Sequence, residues 1–296
     1  IESVPCSGYF VCELDGLYRL EPESVLSETQ TPEEERRYRY DFSPNGIDPD
    51  SFPQNIWRKL SKNVLLEEKQ QLFWLGDPQG DYELRSTIAE YLHQARGVEA
   101  SPEQIVVGAG NDFLLLLLCS MFGAGRRIAM ESPTYKKAYD LFCNLSNEIK
   151  IIGMDESGMR VDLLEKTDAQ TVYVMPSHQF PLGTVMPVKR RMQLLEWAAR
   201  EPDRYIIEDD YDSEFRFDAH PMPALAALDR SGRVIYLNTF TKTLAPSIRI
   251  GYLVLPGALM ARFQQTLGFY GCTVPSFEQY TLARFLDRGY FEKHLN

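Results

Sequence analysis

Five short runs of β-branched and aromatic residues end at Val107, Glu131, Met175, Glu208 and Asn238, and helical patterns follow most of them. A strand carried by a crossover helix to a parallel neighbour produces this alternation, and the helices then cover both faces of the sheet. The pattern predicts an α/β fold: a three-layer, mostly parallel sheet with helices on both faces. Ligands bind such sheets outside the carboxyl ends of the strands, so the polar residues just past these runs are where chemistry is expected.

The stretch from Arg233 to Pro256 carries the most specific signal. Its first apolar run, Val234 to Leu237, breaks into a hydroxyl-rich turn presenting Lys242, and a second run, Ile250 to Leu255, follows. A lone loop lysine is more often a solvated surface charge, but here Thr239 and Thr241 flank it and Arg249 lies close behind. Hydroxyls and a guanidinium around an amine suit a phosphate-bearing aldehyde, which the lysine would bind as a Schiff base. Upstream, the strand ending Tyr205-Ile-Ile-Glu-Asp-Asp-Tyr-Asp offers Asp209 and Tyr211. A carboxylate for a pyridine nitrogen and a phenol near a ring oxygen are what pyridoxal 5'-phosphate (PLP) requires.

Other candidates are weaker. Ile105-Val-Val-Gly-Ala-Gly-Asn-Asp empties a strand into a helix containing five consecutive leucines, which puts Gly110, Asn111 and Asp112 at a helix N-terminus, a natural anion seat. Asp112 is either part of that seat or a cap for the helix. Tyr135, past the strand Arg127 to Glu131, either stacks on a cofactor ring or packs at the rim, and Lys137 either holds a ligand carboxylate or is an exposed helix lysine. His178 has no metal-ligand spacing to another histidine and reads as structural or as part of the rim, so no metal is expected.

Bulk properties narrow the setting. A net charge of -11 over 296 residues repels phosphate backbones, so this segment is not expected to bind nucleic acid itself. Five scattered cysteines without a CxxC pair fit a reducing, cytoplasmic compartment rather than a disulfide framework or zinc site. The longest apolar stretch, Phe113 to Phe122, is too short to span a bilayer, so no membrane association is expected. The chain opens at Ile1 without a methionine or signal pattern, as an internal piece of a longer protein would. Residues 1–18 hold the short strand Ser7-Gly-Tyr-Phe-Val-Cys. Residues 19–41 are polar and acidic and read as a linker, the run Glu33 to Arg37 fitting a solvated helix face equally well.

Three motifs, Pro176-Ser-His-Gln-Phe-Pro-Leu-Gly, Ile207-Glu-Asp-Asp-Tyr-Asp-Ser-Glu-Phe and Asn238-Thr-Phe-Thr-Lys-Thr-Leu-Ala-Pro-Ser-Ile-Arg, give residues 42–296 a resemblance to a known family. They resemble fold-type I PLP-dependent aminotransferases, and within these the aminotransferase-like domain of MocR-type transcription regulators of the GntR superfamily. The resemblance implies Lys242 as the lysine bonded to the cofactor, Asp209 on the pyridine nitrogen, Tyr211 near the ring hydroxyl and Tyr135 against the ring. It places Gly110, Asn111, Asp112, Thr239, Thr241 and Arg249 around the phosphate and Lys137 where an effector carboxylate would bind. Residues 1–18 would close a winged helix-turn-helix domain that contacts DNA, and a homodimer is implied. The implied function is effector sensing, with an amine or amino-acid ligand held as an external aldimine; the alternative is a catalytically active aminotransferase. Several positions depart from the family pattern. Thr241 replaces a serine, Leu75 a tyrosine and Phe180 an asparagine, and the sequence stops before the small C-terminal domain.

Overall fold

A computed structural model describes residues 2–4, 8–10, 46–67, 71–215 and 222–296. The chain divides into two compact units, Ile1–Ser43 and Pro44–Asn296. In the first, β1 (Glu2–Val4) pairs antiparallel with β2 (Gly8–Phe10), Val4 facing Gly8, so the strand expected over Ser7 to Cys12 is present at its centre. The linker expected over residues 19–41 lies outside the described residues.

The second unit is built on one sheet of eight strands: β3 (Ile105–Gly108), β4 (Arg127–Ser132), β5 (Glu148–Asp155), β6 (Gly158–Met159), β7 (Thr171–Val174), β8 (Tyr205–Asp209), β9 (Val234–Thr239) and β10 (Gly251–Val254). Their order is β3-β10-β9-β8-β7-β4-β5-β6. Strands β4, β7, β8 and β9 run parallel, as expected, and β5 runs parallel beside β4. The second apolar run, β10, is antiparallel to both β9 and β3. Only residues 240–250 separate it from β9, too few for a crossover helix, so the chain turns straight back. With β10 reversed between them, β3 and β9 point the same way, and all five expected carboxyl ends open on one edge.

Among the described residues, ten α-helices accompany the sheet: α1 (Gln54–Glu67), α2 (Tyr82–Arg96), α3 (Gly110–Phe122), α4 (Lys136–Asn144), α5 (Val161–Leu164), α6 (Val188–Ala199), α7 (Leu225–Leu228), α8 (Gly257–Thr266), α9 (Ser276–Asp287) and α10 (Tyr290–Leu295). The period of two along each strand sorts the core into layers. Tyr205 and Ile207 of β8, with Tyr173 of β7, join Leu114, Leu118, Phe142 and Phe263 from α3, α4 and α8. Ile206 faces the other way, toward Leu194, Trp197 and Leu225 of α6 and α7, while Tyr236 and Tyr252 meet Leu84, Ile88 and Phe285 of α2 and α9. The leucine-rich run is a helix whose five consecutive leucines are buried except for Leu116, and it ends at Gly123 with φ +83°. The last helix, α10, gave no clear sequence signal. Gly289, left-handed at φ +66°, turns the chain after α9 and lets Phe291 bury against Tyr91 and Phe240. Among the described residues no helix is long and apolar enough to cross a membrane.

Candidate functional site

The three sequence motifs meet at the carboxyl edge. Asp209 is the last residue of β8, in register with Leu237 of β9, and Lys242 follows β9 by one turn. Because Asp209 continues the face of Tyr205 and Ile207, its side chain lies on the α3 side of the sheet. There Asn111, in the first turn of α3, donates from Nδ2 to Asp209 Oδ1 at 3.2 Å, and Tyr173 donates from Oη to Oδ2 at 2.5 Å. The carboxyl group is 3% exposed, and burial, reinforced by Asp210 and Asp212, outweighs these donors and pushes its pKa up to about 7. The buried guanidinium of Arg96 is committed to Asp210 at 2.8 Å. Among the described residues Asp209 therefore has two neutral donors and no cation.

The anion seat assembles around the turn after β9. Thr239 and Thr241 hydroxyls lie 2.7 Å apart, and Thr239 Oγ1 also donates to the Ile250 carbonyl, which ties the turn to the start of β10. Arg249, left-handed at φ +49°, reaches across to the start of α3. Its Nη2 donates to the Ala109 carbonyl at 3.1 Å and stands 3.5 Å from Asp112 Oδ2. Gly110 sits beneath it at φ +83°, where a β-carbon would come within 3.2 Å of that Nη2. Two hydroxyls, an exposed guanidinium and the N-terminal turn of a thirteen-residue helix thus converge on one spot. The capping alternative for Asp112 is set aside: the N-cap is Ala109, and Asp112 turns to Arg249.

The remaining candidates flank this cluster. Tyr135 is the N-cap of α4, its ring edge-on to Phe180 with centroids 6.0 Å apart. Tyr211 is half-buried and bonds Asp212, which also meets His178 Nδ1 at 3.3 Å, so the histidine belongs to the rim of the site rather than a metal centre. Lys137 is exposed near the start of α4, and Lys242 is exposed with no hydrogen bond or ion pair among the described residues. Among those residues no group of histidine, cysteine and acidic side chains could hold a metal.

Sequence reasoning passed over Tyr173, Arg96 and Glu131. Tyr173 lies inside an apolar strand, and only the register with β8 reveals that its hydroxyl meets Asp209. Arg96 stands before Gly97 and looks like an ordinary cation for the last turn of a helix, yet it is 6% exposed. Glu131, next to last in β4, accepts from the Met159 amide and has its pKa pushed up to about 7 by burial.

This donor set fits PLP. The cofactor carries an anionic phosphate, a basic ring nitrogen and an aldehyde, and the edge offers a seat of N–H, hydroxyl and guanidinium groups, together with a buried carboxylate and an amine that have no ion-pair partner among the described residues.

A sequence profile of the family described as "Aminotransferase class I and II" matches residues 45–294. Over all 296 residues the chain is 41% identical to the uncharacterized HTH-type transcriptional regulator YdeL of Bacillus subtilis, and it spans 64% of that protein's length. It is 36% identical over 258 residues to the probable rhizopine catabolism regulatory protein MocR of Rhizobium meliloti, covering 87% of this chain and 52% of the other. Among solved structures, an archaeal alanine:glyoxylate aminotransferase superposes with a TM-score of 0.77 at 32% identity, covering 84% of this chain and 64% of that one.

Proposed function

This chain belongs to the aminotransferase class I and II family, and we propose that it is the PLP-dependent, effector-sensing domain of a transcription regulator. One observation carries the choice of a sensor. The likeness to the regulator YdeL extends over the whole chain, whereas the family profile begins only at residue 45. Residues 1–44 are thus shared with a regulator, outside the aminotransferase-like part. In this reading residues 1–18 close a winged helix-turn-helix domain that contacts DNA, and residues 19–41 link it to the sensor. The protein works as a cytoplasmic homodimer.

When bound, PLP supplies an aldehyde that condenses with amines and a ring that withdraws electrons from the adjoining carbon. Lys242 offers the nucleophilic Nζ. Asp209 would hold the ring nitrogen and favour its protonated form. Thr239, Thr241, Arg249 and the turn Gly110 to Asp112 hold the phosphate, and Gly110 leaves room for Arg249 to lie over the helix start. Tyr135 would lie against the ring, Tyr211 near its hydroxyl, and the Lys137 ammonium would take the effector carboxylate. An amine effector that binds one domain arrangement better than another shifts the population between them, and the linker passes that shift to the DNA-binding part.

The second reading, an active aminotransferase, is favoured by the likeness to the archaeal enzyme at 32% identity. Multiple-turnover assays of the full-length protein with amino donors and keto acids separate the two. A sensor yields at most about one equivalent of product per site, and sustained turnover would overturn the sensing reading.

A further inference from the structure

Asp209 is gripped by donors from two elements far apart in sequence. Tyr173 is 0% exposed, and burial, with Asp209 next, raises its phenol well above the usual value, so at neutral pH it stays protonated and donates. Asn111 aims its Nδ2 at the same carboxyl group although its own Oδ1 remains buried without a partner among the described residues. Two donors directed at one carboxyl group suit its ionised form, because a protonated carboxyl would put its own hydrogen in competition with one of them. Burial acts in the opposite sense, and so do the neighbouring acids Asp210 and Asp212 beyond β8, while the phenols of Tyr211 and of Tyr135, at the start of α4, stay protonated and carry no charge against it. Arg96 is occupied by Asp210.

We propose that Tyr173 and Asn111 form a clamp that favours the charged form of Asp209 against its burial and aims it at the ring nitrogen of the bound cofactor, which makes them positioning residues of this site. The inference rests on the PLP reading above, but the clamp itself can be measured without the cofactor. Removing one donor raises the proton affinity of Asp209. The carboxylate then competes for the ring proton, and the cofactor loses part of its electron-withdrawing power.

The test compares Tyr173→Phe and Asn111→Ala with Tyr205→Phe, a phenol removed from the opposite end of β8. In the cofactor-free intact protein, 13C-labelled aspartate reports the Asp209 carboxyl titration, assigned by the signal lost in Asp209→Asn. The two clamp variants should raise its midpoint by about one pH unit, a tenfold gain in proton affinity, and Tyr205→Phe should leave it in place. In loaded protein the pH midpoint of the visible absorption band should shift in the same two variants. An unmoved Asp209 midpoint in both overturns the clamp, and a moved midpoint with an unmoved absorption band overturns its role toward the cofactor. Protein that takes up no cofactor defeats the PLP reading and with it the role toward the ring, whereas the carboxyl titration still decides the clamp. Tyr173→Phe keeps the ring that packs against Phe142. If it nevertheless fails to fold, Asn111→Ala, which favours the helix, decides the question.

Discussion

Arg96→Met should be the most damaging single change near the site, although the residue touches no proposed ligand group. Its Nε and Nη2 reach the two oxygens of Asp210 at 2.8 and 3.2 Å, and Nη2 also donates to Ser177 Oγ at 2.9 Å. The Asp210 side chain is fully buried and accepts further bonds from Ser213 Oγ at 2.8 Å and Tyr236 Oη at 2.6 Å. Methionine fills the aliphatic volume but leaves this carboxylate without its cation. Asp210 is then left charged in the interior without its partner, which costs about 3–5 kcal/mol for a broken buried pair, against a typical total stability of about 5–15 kcal/mol. Urea unfolding followed by tryptophan fluorescence at pH 7 measures the loss. A loss below about 1 kcal/mol would refute the assignment of Arg96 as the counter-ion of a buried charge.

Further outcomes follow from the same coordinates. Burial pushes Glu131, Glu208, Asp209 and Glu214 each up to about 7, so the folded protein binds their protons more tightly than the unfolded chain does. The stability they confer is complete below the unfolded carboxyl range and is lost as pH rises toward 7, so the melting temperature of cofactor-free protein should fall between pH 5 and 8; a rise would contradict the burial of these acids. Gly80→Ala should cost about 2 kcal/mol in urea unfolding, because Gly80 has φ +96° and a β-carbon would meet Val107 Cβ at 2.7 Å. Borohydride treatment of protein incubated with PLP should add one cofactor mass at Lys242, detected by peptide mass spectrometry, and Lys242→Ala should show no adduct at that position.

Much of this architecture is legible in sequence because strand ends and turns carry local signals. The five parallel runs announce themselves by β-branched content, and Lys242, Thr239 and Thr241 are read directly from the turn that follows one of them. What local patterns do not carry is direction and register. The run Ile250 to Leu255 reads as a strand, but only its short connection makes β10 antiparallel, and that reversal brings Arg249 beside the start of α3. Tyr173 and Asn111 are separated from Asp209 by 36 and 98 residues, so no window along the chain contains their meeting. Arg96 is hidden for a related reason: its partner lies 114 residues away, and helix-end cations are common on surfaces.

The acidic triple Glu208-Asp209-Asp210 shows how register assigns different work to neighbours of the same chemistry. With a period of two, Glu208 points away from α3, where both its oxygens accept the Leu225 and Ala226 amides at 2.6 and 2.7 Å. Asp210, also pointing away from α3, is bound to Arg96, Ser213 and Tyr236. Asp209 alone of the three faces α3 and the proposed cofactor. Pairing on both sides of β8, to β7 and β9, prevents the one-residue slip that would exchange these duties. Two isosteric substitutions one residue apart should therefore act in opposite senses on cofactor-free protein. Asp210→Asn leaves the Arg96 guanidinium buried without its charge partner and should cost about 3–5 kcal/mol. Asp209→Asn removes an acid whose ionisation the fold opposes and should raise the urea midpoint at pH 8 while weakening PLP binding. Equal destabilisation by both would mean that Asp209 is held for the fold alone.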